Sequence, residues 1–344
     1  MFKNTVKAGD IVMNAVIFKG KHEMEYKEVD HQTPGPNEML LQVKACGICG
    51  TDQHIYHGQP GSAKVVPPRV LGHEFAGEVV MVGGDVKGFQ VGDRVSVDPN
   101  IYCGSCEYCQ NGTPHLCDNL EALGVTIDGG MAEYCLVPAA NCYHLPEGLT
   151  FQEGALIEPL GCVIHGIKQL NITPGASVFI IGGGFIGQLM LQMVKMYGCS
   201  PVRVCEPDTA KHSTLLKLGA TEVVTPTNAD SYQADIVIEC VGRQQTMEQA
   251  IRLTKKGGQV LLFGVASPMT EILVSPFEIF SKELTIHGSF INPHTHRQAI
   301  SLVSQGMIDL KSLISHTFSL RELPDIFSTY HQLSVTKGMI EVSK

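Results

Sequence analysis

The chain has 344 residues, 44% of them hydrophobic and 17% charged, with a formal net charge of -9. That length exceeds what one hydrophobic core usually holds, so two domains are expected. The acidic balance leaves no basic footprint for nucleic acid, and no apolar run reaches the ~18 residues of a membrane-crossing helix.

The N-terminus, "MFKNTVKAGDIVMNAVIF", carries two lysines, but Asp10 and Asn14 interrupt its apolar part and no small-residue cleavage site follows. It reads as a short arm leading into a first strand rather than a signal peptide, and a cytoplasmic chain with reduced thiols is expected. Short β-like runs follow: "NAVIFKG", "EMEYKEV", "EMLLQVKAC", "FAGEVVMVG", "GDRVSVDP" and "AEYCLVP", separated by Gly, Pro, Asn or Asp. They predict a β-rich core with long loops. Within it, "ACGICGTDQHIYHG" offers Cys46, Cys49, Thr51, Asp52, His54 and His57, and "LGHEFAG" offers His73 and Glu74.

"CGSCEYCQNGTPHLC" sets Cys103, Cys106 and Cys109 at steps of three, with Cys117 eight further on. Reduced thiols argue against disulfide staples, a redox centre needs only two cysteines, and iron–sulfur runs use other spacings. Zinc accepts four thiolates in a tetrahedron, and Gly104, Gly112 and Pro114 mark a loop able to wrap it. The reading is a structural zinc site pinning a lobe over residues 99–118. Further on, "GALIEPLGCVIHGI" puts Glu158 in a mostly apolar stretch, where a carboxylate needs a partner. A salt bridge at a domain junction is the plain alternative.

From about residue 175 strands and helices alternate, which indicates a parallel sheet covered on both faces. "VFIIGGGFIGQL" fits G-x-G-x-x-G through Gly182, Gly184 and Gly187, after an apolar strand and at the opening of a helix. That reads as a phosphate-binding turn for a dinucleotide, with an ordinary tight strand-to-helix turn as the plain alternative. Glu206, at the end of the next strand, is positioned to accept hydrogen bonds from an adenosine ribose and to repel a ribose phosphate, favouring NAD over NADP. Beyond about residue 295, "HRQAISLVSQG" and "KGMIEVSK" read as a return to the first domain.

At "CGICGTDQH", "GHEFAGEV", the four-cysteine lobe, "IEPLGCVIHG" and "GGGFIG" the chain resembles the zinc-containing medium-chain dehydrogenases, and among them the polyol (sorbitol-type) branch. The resemblance runs from about Met13 to the C-terminus. It implies an α/β fold, with a GroES-like β-rich catalytic domain over residues 1–162 and 295–344. A Rossmann doubly wound parallel-sheet domain would span residues 163–294. It implies Cys49, not Cys46, and His73 as ligands of a catalytic zinc, with Glu74 and Glu158 as acidic partners reaching it directly or through water. Cys103, Cys106, Cys109 and Cys117 match the family's structural zinc lobe. Thr51 and His54 match its proton relay. Ile186 and Lys211 would lie near the cofactor, with Phe263, Gly264, Val265, Ser289, Phe290 and Ile291 on the nicotinamide side.

The implied reaction is oxidation of a secondary alcohol of a polyol, sugar-alcohol-like or phosphorylated, to a ketose by hydride transfer from a zinc-bound alkoxide to NAD. A homodimer or homotetramer is the implied assembly, with no nucleic-acid or membrane partner. The alternatives are L-threonine 3-dehydrogenase or butanediol dehydrogenase, and, outside enzymes, a regulatory or structural protein binding NAD and zinc. Animal-type sorbitol dehydrogenases place an arginine where this chain has Ile291, and they lack the intact four-cysteine lobe. Asn292, His294, His296 and Arg297 are candidates for recognising a sugar alcohol or its phosphate, or else a solvated helix start.

Overall fold

In a computed structural model, residues 12–30 and 33–342 are described; most of the expected N-terminal arm lies outside them. The first stretch carries strands β1 (Val12–Gly20), β2 (Glu23–Asp30) and β3 (Glu38–Ile48), then helix α1 (Gly50–Tyr56). Strands β4 (Arg69–Val70), β5 (Glu74–Val82), β6 (Arg94–Val97) and β7 (Asn100–Ile101) follow, then helix α2 (Glu107–Gln110). Next come β8 (Glu121–Ala122), β9 (Tyr134–Pro138) and β10 (Cys142–His144), then helices α3 (Phe151–Ala155) and α4 (Ile157–Lys168).

The alternating part is β11 (Val178–Ile181), α5 (Phe185–Met196), β12 (Val202–Cys205), α6 (His212–Lys217), β13 (Glu222–Val224) and α7 (Pro226–Ala229). It continues through β14 (Ala234–Glu239), α8 (Gln244–Arg252), β15 (Thr254–Leu262), α9 (Pro276–Lys282) and β16 (Thr285–Gly288). Helix α10 (His296–Ser304), β17 (His316–Ser319), α11 (Leu323–Thr329) and β18 (Gly338–Glu341) close the chain.

Two compact units result. One takes the described residues up to Glu158 with 296–304 and the segment from 309; the other takes 159–295 and 305–308. In the first, a seven-stranded sheet runs β10-β6-β5-β3-β18-β17, with β9 also on β3. Strand β3 is buried along most of its length because three neighbours cover it, which is why "EMLLQVKACGI" is apolar almost throughout. By contrast β2, an edge strand, carries Glu23, Glu25, Lys27, Glu28 and Asp30, charges that discourage further pairing. Met39, Leu41, Phe75, Val79, Phe327 and Ile340 belong to the core of this unit. Strand β18 pairs with β3, Gly338 standing opposite Ile48.

The second unit is a six-stranded parallel sheet in the order β13-β12-β11-β14-β15-β16. Its central strands are continuous apolar runs because helices cover both faces. Strand order reverses between β11 and β14, and in such sheets ligands bind beyond the strand ends at that reversal. The β-rich unit and the doubly wound unit together are the α/β class expected from the sequence.

His296, on α10, departs from the expectation of a substrate-recognising or solvated group: it is fully buried, as is Asn292. The Ser96 hydroxyl donates to the Gly154 carbonyl at 2.6 Å, so it accepts from His296 Nε2–H at 2.7 Å. That leaves Nδ1 unprotonated and without a partner, while the ring stacks on Tyr143 at 4.7 Å. Burial pushes the His296 pKa down to about 3. The folded protein keeps the ring neutral, whereas the unfolded chain takes up a proton below about pH 6.5. The associated stability is therefore fully present above about pH 6.5 and lost as pH falls towards about 3. Between pH 6 and 4 the wild type should lose up to about 1.4 kcal/mol per pH unit more than His296→Leu in denaturant unfolding. Parallel curves for the two proteins would remove this role for His296.

Candidate metal centres and dinucleotide turn

Cys49, His73 and Glu74 bring an Sγ, a ring nitrogen and a carboxylate oxygen within 4.8 Å of one another, close enough to hold one metal ion. Local structure explains why they meet. Cys49 is the N-cap of α1: its backbone N–H donates to Asp52 Oδ2 at 2.9 Å, and its sulfur accepts from the Thr51 N–H at 3.4 Å. His73 immediately precedes β5 and Glu74 opens it, paired with Gly47 across the sheet. A Cβ on Gly47 would fall on the Glu74 carboxylate, so only glycine leaves room for the acid there.

This centre is almost dry. Asp52, Glu74 and Lys337 are 0%, 1% and 3% exposed. Burial alone would lower the His73 pKa, but the negative groups of Asp52 and Cys49 hold it well above the usual imidazole value. Asp52 Oδ1 stands 3.4 Å from His73 Nδ1. This is the carboxylate–histidine arrangement that orients a metal-ligating imidazole. Lys337 forms an ion pair with Glu74, and its Nζ also donates to the Ile48 carbonyl at 3.1 Å. The donor set suits zinc: a soft sulfur, an imidazole and a hard oxygen gathered from Cys49, His73 and Glu74.

Other expected residues fall as follows. Cys46 is fully buried and outside the donor group, its thiol pushed well up by burial and donating to the Gly47 carbonyl. Glu158 is buried in the first turn of α4, but it is not among the donors gathered with Cys49. Thr51 and His54 ride on α1 directly behind Cys49. Burial lowers the His54 pKa, so its ring is neutral at neutral pH.

Cys103, Cys106, Cys109 and Cys117 form the second group of donors within 4.8 Å. The Cys103 and Cys109 sulfurs are 4.0 Å apart. A tetrahedron of thiolates around zinc at about 2.3 Å has an edge of about 3.8 Å, so the lobe fits that ion. Donors from Ser105 and the Cys106 N–H bring the Cys103 thiol down to about 5, whereas burial pushes Cys109 up to about 12. Holding all four as thiolates side by side needs a cation among them.

In the second unit Gly182 adopts φ 100°, and Gly184 is the N-cap of the 12-residue α5. A Cβ on Gly187 would collide with the Gly182 carbonyl, so helix and strand meet at the backbone. Glu206 directs its carboxylate inward: Oε2 accepts from Gly183 N at 2.8 Å and Oε1 from Asp208 N at 2.9 Å. Each oxygen keeps a further lone pair for another donor. Lys211 leans on Asp208 at 3.8 Å. Ile186, Phe263, Gly264, Ser289 and Ile291 are half-buried, Val265 and Phe290 exposed. Ile291 has φ 47°, a left-handed conformation that costs a β-branched residue of order 1–3 kcal/mol. His294 and Arg297 are exposed.

Neither Asp52 nor Lys337 has a role that the linear sequence reveals. Asp52 carried a faint signal, a capping residue three places after Cys49. Lys337 carried none, because its partner is 263 positions away.

Residues 35–147 match the alcohol dehydrogenase GroES-like domain, and residues 186–305 match the zinc-binding dehydrogenase domain. The chain is 31% identical over 323 residues to D-arabinitol dehydrogenase 1 of Uromyces fabae, covering 90% of this chain and 91% of that one. It is 36% identical over 308 residues to L-threonine 3-dehydrogenase of Pyrococcus horikoshii, covering 86% and 88%. Among solved structures, a provisionally assigned zinc-binding dehydrogenase of Sinorhizobium meliloti 1021, bound to NADP, is similar with 38% identity and a TM-score of 0.93. That match covers 97% of this chain and 100% of the other. The chain therefore belongs to the zinc-binding dehydrogenases, oxidoreductases of the alcohol dehydrogenase type.

Lys337→Met should leave the buried Glu74 carboxylate without its cation and cost about 3–5 kcal/mol in zinc-free protein. Thermal melts with and without zinc check this. The loss should shrink when zinc is supplied, because the metal restores positive charge beside Glu74. An equal loss in both conditions would separate Lys337 from the metal centre.

Proposed function

We propose that this chain reversibly oxidises a secondary hydroxyl of a small polyol to a ketone, with NAD as hydride acceptor. The observation that carries this reading is the gathering of Cys49, His73 and Glu74, a three-ligand set that leaves one position open for a substrate oxygen. Cys49 and His73 would hold the catalytic zinc with Glu74 as third ligand, and Glu158 is the acid reached through water. A zinc ion held there supplies Lewis-acid chemistry that eases loss of a proton from an alcohol. An acid in place of a second sulfur makes the site harder, which suits polyhydroxylated substrates.

Thr51 and His54 would carry the released proton outward. The neutral His54 ring has a nitrogen able to accept it, and Thr51 stands nearer the metal on the same helix. In the second unit, Gly182, Gly184 and Gly187 would cradle the pyrophosphate at the start of α5, with Ile186 and Lys211 beside it. Phe263, Gly264, Val265, Ser289, Phe290 and Ile291 would flank the nicotinamide. The Glu206 carboxylate would disfavour a ribose phosphate, which supports NAD even though the Sinorhizobium structure holds NADP.

Cys103, Cys106, Cys109 and Cys117 would hold a second, structural zinc. A second copy of this chain is the expected partner: β16 ends the parallel sheet with one strand neighbour among the described residues, and Phe277 and Phe280 nearby are 73% and 76% exposed. Open edges and apolar patches of this kind are usually covered. No helix among the described residues is long and apolar enough to cross a membrane, and no disulfide joins the cysteines; a reducing, cytoplasmic setting suits both. A second reading, oxidation of L-threonine, is favoured by the 36% identity to the archaeal relative.

NADH formation across arabinitol, sorbitol, xylitol, phosphorylated polyols, butanediol and threonine separates these readings, with NADP run in parallel. A polyol should lead the panel, and turnover should cease on chelation of zinc. Cys49→Ala should lose at least about 100-fold in kcat/KM while keeping its fold; normal turnover in that variant would take Cys49 out of the site.

Glu206→Ala should raise KM for NAD by about tenfold and narrow the preference over NADP, since a hydrogen bond to a charged group contributes about 1.5–3 kcal/mol. Unchanged preference would end its ribose role.

A further inference from the structure

Glu239, the last residue of β14, is fully buried, and the proposed reaction gives it no part. Its Oε1 accepts from Val241 N at 2.8 Å, Gly242 N at 3.0 Å and the Thr246 hydroxyl at 2.8 Å. Its Oε2 accepts from Gly242 N at 3.2 Å, and the Gly264 N–H also turns towards the carboxylate. The main-chain carbonyl of the same residue accepts from Phe263 N at 3.0 Å and Gly264 N at 2.9 Å. One residue thus ties the loop after β14 to the loop after β15, with both its side chain and its backbone.

The two loops touch at the backbone. A Cβ on Gly264 would land on Gly242 N, and a Cβ on Gly242 would land on the Val265 carbonyl. The first loop also presses on the phosphate-binding turn, since a Cβ on Gly182 would lie 2.8 Å from Val241 Cγ2. All of this occurs at the C-terminal ends of β11, β14 and β15, beside the reversal of strand order. Burial raises the Glu239 pKa, and the donors that oppose this are amides and a hydroxyl rather than a cation. A buried carboxylate without a cation is a costly way to add stability, and an apolar side chain would pack there at less cost. What a carboxylate adds is several directed acceptors from a single point, that is, loop geometry.

We infer that Glu239 is a positioning residue for the dinucleotide: it sets the spacing of loops 240–242 and 263–265 that the nicotinamide half requires. This rests on the proposed reading that Phe263, Gly264 and Val265 flank the nicotinamide. Glu239 acts through those loops.

The test uses zinc-loaded full-length protein and Glu239→Gln, which keeps size and one acceptor oxygen but turns an N–H2 towards amide N–H groups. Three quantities are read: KM for NAD with kcat, Kd for ADP-ribose, and the melting temperature. KM for NAD should rise by about tenfold and kcat should fall, while Kd for ADP-ribose stays within about twofold of wild type. Parallel weakening of ADP-ribose, or no change in either ligand, would overturn the assignment. If Glu239→Gln does not fold, Thr246→Val carries the test by removing one donor and leaving the carboxylate. The same asymmetry is expected at about threefold, and a symmetric or absent effect overturns it. Failure of the underlying reading shows separately, as wild-type protein that binds neither ADP-ribose nor NAD.

Discussion

The metal centre depends on a balance of buried charge. Two buried carboxylates and a buried imidazole are packed beside the Cys49 sulfur, and almost no water reaches the carboxylates. Such a group cannot stay together without positive charge. Lys337 supplies one cation permanently, and in metal-free protein the raised His73 pKa supplies a second by keeping the ring protonated. A divalent ion would replace the imidazole proton, so metal loading and proton release are linked. Asp52 serves two purposes at once, capping the helix that starts at Cys49 and facing His73.

The parallel sheet solves a related problem by other means. Glu206 and Glu239 both sit at strand ends, both are buried, and both are satisfied largely by backbone N–H groups of neighbouring turns. Several amide N–H groups converging on one carboxyl group satisfy its acceptors without a lysine or arginine. The same bonds fix turns that could otherwise drift, which is useful where a long cofactor must meet several loops.

Much of this was legible in the sequence where short-range pattern carries the information. Strands β1, β3, β5 and β9 show as apolar runs between turn residues, and the glycine turn as a strand-to-helix junction. The four-cysteine lobe is visible because all its donors lie within fifteen residues. Helix α4 was hidden: "IEPLGCVIHGIK" holds a proline and two glycines, which argue against a helix. Pro159 is tolerated in the first turn, and Gly161 and Gly166 are there because a Cβ would strike Thr295 and the Phe263 ring. His296 looked like a surface group because its neighbours His294 and Arg297 are polar, and only the partner Ser96, 200 positions earlier, reveals it as core. Lys337 and Glu239 were likewise invisible, since their meaning lies in what they touch.

The pairing of β18 with β3 has a consequence for how the molecule is made. The doubly wound unit is built mostly from one continuous segment, so it can form soon after that segment emerges from the ribosome. The sheet that carries Cys49 and Glu74 is completed only when a strand nearly three hundred positions later arrives. Until then the acid at 74 has no lysine and the half-made sheet exposes an open edge. Cys49, His73 and Glu74 are therefore set on a closed sheet only once nearly the whole chain has been made.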